Sequence, residues 1–193
     1  MKIVYFGKPY SFSHIAAMRR FKKDNEYISG NTINATISSV LNNENTIAVV
    51  PIENTTGGII YDTVDNMVTQ RYLKSNMVSA EELEMNINLF IAAKNKIKLS
   101  QVSKIYSHEV VLRRTMDWIS RNLPDNVEVL SVLSTSEAVQ KAKNEKYSCA
   151  IASKEAINHY GLFNIKQVNV KGKKNITRFF VIAQNEKENK RRI

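Results

Sequence analysis

The chain has 193 residues, 43% hydrophobic and 24% charged, enough for one large domain or two small lobes around a sizeable core. One cysteine, Cys149, excludes an intrachain disulfide and a cysteine-based metal site, and three scattered histidines suggest no metal cluster. The net charge of +10 is spread over solvated loops and a charged tail at 186–193; a field that attracts an anionic ligand is the functional reading, ahead of nucleic acid.

Residues 2–6 read as a buried strand and 7–10 as a turn. Ser11 is placed to N-cap a helix over about 12–23, with Ile15, Ala16, Met18 and Phe21 at helical spacing. Thr32 is placed to cap a second helix, with Ile33, Ile37, Val40 and Leu41 on one face. The apolar run 47–52 has strand length, as in a parallel sheet buried on both faces. Residues 53–58 break it, and a helix over about 59–72 turns Ile60, Val64, Met67 and Val68 inward. From 83 to 91 apolar residues alternate, which reads as one half-buried strand long enough to pass between lobes. A basic loop at 94–104 precedes the Ser107-His108 turn, a helix over about 110–122 and a strand at 127–132. Ser134 or Thr135 is placed to cap a helix over 137–144, and Glu137 stands three residues after Ser134, a capping-box spacing. A strand at 148–152 contains Cys149, read as a small core residue. A helix over 153–160 stops at Gly161, and two last strands flank a basic loop at 171–174. Apolar runs fall far short of the ~18 residues that span a bilayer, and the N-terminal stretch is too short for a signal peptide. A cytoplasmic protein without membrane or nucleic-acid partners is the expectation.

This alternation predicts an α/β fold of two small lobes, the closing strand returning to the first. Lobe one spans about 1–80 plus about 165–185, and lobe two about 81–164. Polar residues able to cap helices recur at strand ends, where α/β sheets bind ligands: 11–14, 53–58, 107–108, 134–136 and 175–178. Helix N-termini there would cradle an anion, so a small carboxylate ligand fits better than any single structural turn.

These same residues carry a resemblance. Pro51-Ile52-Glu53-Asn54-Thr55-Thr56-Gly57-Gly58, with Thr63 and Asp65 beyond it, resembles a motif of the prephenate dehydratases. Asn175-Ile176-Thr177-Arg178-Phe179 is similar to the N-x-T-R-F motif of that family. Phe12-Ser13-His14, Tyr106-Ser107-His108 and Ile151-Ala152-Ser153 follow it too, in family order across about 2–183. The resemblance implies a mostly parallel, two-lobed fold like type 2 periplasmic binding proteins, with the site in an interlobe cleft. It implies cofactor-free and metal-free decarboxylative dehydration of the dicarboxylate prephenate to phenylpyruvate, towards phenylalanine, by a homodimer. It makes Thr177 the group that hydrogen-bonds or protonates the leaving hydroxyl and Arg178 a bidentate carboxylate contact. Asn54 and Thr55 would donate to substrate, Gly57 would permit close backbone approach, and Ser11, Ser107 and His108 would complete the site. Glu53 is either an orienting carboxylate or a charge at a helix start; Phe179 is either substrate contact or core wall.

Three positions depart from the family pattern. Tyr10 stands where a glycine precedes the hydroxyl residue, Glu109 replaces a proline, and Leu89 takes a histidine position. The chain also ends soon after 177–179, so feedback control through an ACT domain is not expected. Arogenate as substrate, a non-aromatising prephenate decarboxylase and a non-catalytic carboxylate-binding module are the alternatives; the intact 177–179 motif argues against the decarboxylase.

Overall fold

Runs of β-branched residues and well-placed caps account for most elements of the computed structural model, which describes residues 1–22, 24–41, 45–72, 77–169 and 174–184. In chain order these are β1 Lys2–Phe6, α1 Phe12–Phe21, β2 Glu26–Gly30, α2 Ile33–Ser38, β3 Thr46–Asn54, β4 Gly58–Ile59 and α3 Tyr61–Tyr72. They continue with β5 Met77–Asn86, β6 Leu89–Ala93, a 3-10 turn at Leu99–Gln101, β7 Lys104–His108, α4 Glu109–Asn122 and β8 Glu128–Val132. The last are α5 Thr135–Asn144, β9 Ser148–Ala152, α6 Lys154–Tyr160, β10 Phe163–Val168 and β11 Ile176–Gln184. Ser11, Thr32, Ser134 and Ser153 each accept a backbone N–H from the first turn of their helix, which satisfies one of the orphan donors there. The α6 helix ends on Gly161 at φ 71°.

The chain divides into two compact units, Met1–Asn86 with the segment from Ile176 on, and Ile87–Asn175. The breaks lie later than the expected 80 and 165, because β10 pairs with β6 in the second unit and only β11 returns to the first. The expected single strand over 83–91 is two strands, β5 and β6, in different sheets. At the break, the Ile87 N–H donates to the Asn175 carbonyl (2.7 Å). The loop at 171–173 and the charged tail lie outside the described residues.

The first unit holds a sheet of order β2-β1-β3-β11-β5, with β4 paired to β3; the second holds β10-β6-β9-β7-β8. Both sheets are mixed, which corrects the expectation of mostly parallel ones. β1 pairs in parallel with β2 and β3, whereas β11 runs antiparallel to both neighbours. In the second unit β7 is parallel to β8 and β9, and β6 antiparallel to β9 and β10. β2 was not legible as a strand: it lies at a sheet edge, only Gly30 in it is buried, and no apolar alternation marks it.

In the first unit α1 covers one sheet face, packed on β1 and β3. Ile33, Ile37 and Val40 pack with Ala48, Val50 and Ile182 on the other face, joined by Phe6, Ile60, Met67 and Phe180. Two expected core residues fall outside: Leu41 is 38% and Val68 62% exposed, and Thr63 takes the inward position on α3, its hydroxyl donating to the Pro51 carbonyl (2.6 Å). In the second unit Cys149 is fully buried, and burial pushes its thiol up to about 12. No helix among the described residues is long and apolar enough to cross a membrane.

Gly30 sets how closely α2 approaches the sheet. A Cβ there would lie 2.0 Å from the Thr36 hydroxyl, which itself donates to the Thr32 carbonyl (2.7 Å). Gly30→Ala therefore forces the helix outward and is expected to cost about 1–3 kcal/mol, read as a lower urea midpoint at unchanged slope.

Candidate active site

The site residues of the first unit are assembled by one irregularity in the sheet. Phe179 lies opposite Pro51 but Arg178 lies opposite Glu53, so Ile52 is an extra residue on β3. Such a bulge re-aims the side chains beyond it. It brings Thr177 opposite Asn54, and the Asn54 amide Nδ2 donates to Thr177 Oγ1 at 2.8 Å. Both residues are 8% exposed. The amide cannot turn over, because its Oδ1 already accepts from the Thr56 N–H (2.9 Å), the Thr56 hydroxyl (2.7 Å) and the Gly57 N–H (3.0 Å). Asn54 is thus held by its own turn and presents a donor to Thr177. With its oxygen taken as an acceptor, Thr177 keeps a proton to give, and among the described residues nothing receives it. Thr55 ties the two strand ends together: its N–H donates to the Ile176 carbonyl (2.9 Å) and its hydroxyl accepts the Ile176 N–H (3.0 Å).

Side chains alternate along a strand, so Thr177 shares a face with the fully buried Phe179 and with Val181, while Arg178 falls on the other with Phe180 and Ile182. Arg178 there has carboxylates of its own: Nη1 is 3.0 Å from Glu53 Oε2, and Nη2 bonds Glu82. Glu82 foremost, then Glu53, raise the guanidinium pKa. The Arg178 guanidinium that the resemblance assigns to a substrate carboxylate is engaged here by Glu53 and Glu82. Phe179 is 1% exposed and packs in the core.

At the same end of the sheet and on the Thr177 face lies the turn from β1 into α1. Ser11 Oγ donates to the Phe6 carbonyl (3.1 Å) and accepts the His14 N–H (3.4 Å). The Tyr10 N–H donates to His14 Nδ1 (2.9 Å), and the imidazole stacks on Tyr5 at 4.1 Å between centroids.

In the second unit Ser107 is fully buried and donates to the Ile151 carbonyl (2.7 Å). It joins β7 to β9, its hydroxyl proton taken by that carbonyl. His108 caps α4, Nδ1 accepting the Val110 N–H (3.3 Å), and borders an open depression of about 410 Å³ with Glu109, Ser131, Glu137 and Lys141. Burial lowers its pKa; Glu109 acts in the raising sense and Arg114 in the lowering sense. The folded-state value thus lies below the unfolded one near 6.5. The unfolded chain takes up the proton first, so stability is full above that pH and is lost as pH falls towards the folded value. Protonation also removes the cap acceptor. The urea midpoint should fall between pH 7.5 and 5 in the wild type, and fall less in His108→Asn, whose amide caps without titrating.

No group of three or more His, Cys, Asp or Glu side chains among the described residues could hold a metal ion. The sequence matches the family model for prephenate dehydratase over residues 3–187. The chain belongs to the prephenate dehydratase family. A bifunctional chorismate mutase/prephenate dehydratase of Aquifex aeolicus (strain VF5) is 32% identical over 187 residues, 96% of this chain and 49% of that protein. The chain spans about half the length of the curated relatives it matches first. Two solved prephenate dehydratases share the fold: one from Staphylococcus aureus subsp. aureus Mu50 (TM-score 0.80, 24% identity, covering 96% of this chain and 67% of that one) and one from Arthrobacter aurescens, in complex with L-Phe (0.84, 21%, 96% and 61%).

Against the prephenate dehydratase pattern, the three departures have distinct physical content. Tyr10 has φ 62°, a left-handed conformation that glycine adopts freely and that costs a tyrosine about 1–2 kcal/mol. A glycine at this position would carry no such cost, and here the His14 bond and the edge-on ring contact at 5.4 Å offset the strain. Leu89 is 2% exposed, an apolar core residue at the start of β6. Glu109 opens α4, where a carboxylate complements the helix dipole. Two contributors escaped the sequence reading. Thr56 was visible within the Asn54 motif as a turn residue able to bond the asparagine; Glu82 had no signal, because only the strand order brings it to Arg178.

Proposed function

We propose that this chain converts prephenate to phenylpyruvate, with loss of carbon dioxide and water, as a step towards phenylalanine. The observation that supports this most directly is the Asn54–Thr177 hydrogen bond, which leaves the Thr177 proton to be donated at a strand end. In the reaction the bond from the ring to its carboxylate breaks and its electrons enter the ring, while the 4-hydroxyl leaves with a proton as water. Atoms and charge balance without a redox partner, so no cofactor is required, and the gain of an aromatic ring drives the step. The task left to the protein is orientation. Thr177 directs its O–H at the departing oxygen and recovers a proton from water; Asn54 fixes the direction of that O–H. A neutral alcohol is a weak acid, so geometry carries more of this effect than pKa. The N–H groups of Phe12 and Ser13 at the start of α1, on the same face and at the same end of the sheet, suit a substrate carboxylate.

The protein is proposed to act as a cytoplasmic homodimer, in keeping with the family resemblance. The test is product identity from purified protein: prephenate should disappear with formation of phenylpyruvate, followed by its ultraviolet absorbance in alkali and by mass. Arogenate, assayed in parallel, would give phenylalanine if the amino analogue is preferred. Binding of prephenate without any turnover would overturn the proposal in favour of a carboxylate-binding module.

A further inference from the structure

Arg178 joins three neighbouring strands on the sheet face opposite Thr177. One guanidinium nitrogen reaches Glu53 on β3 and the other Glu82 on β5. The chain neighbours of this bridge are the site itself: Glu53 precedes Asn54 and Arg178 follows Thr177. The bridge therefore spans the first rungs beyond the bulge, where β3 carries an unpaired residue and the register of β11 is least supported by the ladder. The contact to β5 is diagonal. Glu84 lies directly opposite Arg178, and Glu82 lies opposite Phe180, so Glu82 draws the guanidinium along the sheet while Glu53 holds it across. Diagonal partners are within reach of long side chains, and two anchors at different angles fix an arginine that one anchor would leave to swing.

From this arrangement we infer that Glu82 is a positioning residue for the dehydration step, acting through Arg178 and Glu53 to hold the Asn54–Thr177 pair in register. The inference rests on the function proposed above. Glu82 touches no substrate; its side chain is 48% exposed and lies on the face away from the Thr177 hydroxyl. Its effect is accordingly on the reacting geometry rather than on substrate affinity, and of the modest size that exposed charge pairs have.

The test compares the wild type with Glu82→Gln and Glu82→Asp, with folding checked by circular dichroism. Steady-state kinetics with prephenate are measured alongside the side-chain amide resonances of Asn54 in 15N-labelled protein. In Glu82→Gln, kcat is expected to fall by about two- to fivefold with KM within about twofold, and Glu82→Asp to recover part of it. The Asn54 amide protons should exchange faster with solvent in Glu82→Gln than in the wild type. In a Thr177→Ala background the same change should cause no further fall. Wild-type kcat and unchanged amide exchange in Glu82→Gln would overturn the inference. So would a rise in KM at constant kcat, which would make Arg178 a substrate contact. If the wild type makes no product, the functional proposal fails by itself, and the amide exchange still decides whether Glu82 controls the pair.

Discussion

Replacing Thr177 with alanine is expected to lower kcat by about 10²–10⁴-fold, the usual contribution of a positioned proton donor, with KM within about twofold. The side chain removed is small and only its hydroxyl has a polar partner, Asn54 Nδ2 at 2.8 Å. Ground-state binding by the rest of the site should survive. The truncation removes one acceptor of the Asn54 amide in an 8% exposed position, a loss of about 0.5–1.5 kcal/mol, so the melting temperature should be recorded with the rates. Thr177→Ser keeps the hydroxyl and should retain most activity, although its χ1 is less restrained without the β-branch. Thr177→Val keeps the shape and loses the proton, and should be as slow as alanine. Full activity in the valine variant would remove Thr177 from the chemistry altogether.

The largest stability effect should come from Phe179→Ala. Phe179 is 1% exposed and stands first among the largest fully buried side chains described, on the face that α1 covers. Truncation leaves a cavity in a sheet clamped on both sides of β11, and about 3–5 kcal/mol should be lost. Urea denaturation measures this, the midpoint falling with little change in slope. Phe179→Leu should lose less, because more of the volume is kept, and in that folded variant KM for prephenate should stay within about twofold of wild type. A KM raised well beyond that would return Phe179 to the substrate surface, against its burial.

These two neighbours show where the sequence could be read and where it could not. The strands at 2–6 and 148–152 and the serine caps at 11 and 134 are local facts, written in apolar runs and hydroxyls at the right spacing. Asn54 and Thr177 could be paired in advance only through the family motifs, because 123 residues separate them along the chain. The roles of Arg178, Phe179 and Ser107 depend on which face each side chain takes and what stands opposite. Ile52, the bulged residue, is one more apolar residue in an apolar run, and nothing in that run announces it. The break between β5 and β6 is hidden for a related reason: Met85, Ile87 and Leu89 are all buried, so the alternation continues through the point where the chain changes sheets. Strand direction is similarly invisible in β11, whose apolar residues would suit a parallel neighbour equally well.

Cys149 has a practical consequence. It is the chain's one thiol, it is fully buried in β9, and at neutral pH it is protonated, with a pKa of about 12. Maleimides and other thiol reagents attack the exposed thiolate, so the native protein should give almost no background labelling. New cysteines at Val68 in the first unit and Leu133 in the second, 62% and 85% exposed, would then take up a donor and an acceptor dye without first deleting a native cysteine. Energy transfer between them, with and without prephenate, would follow the distance between the two units in solution during turnover.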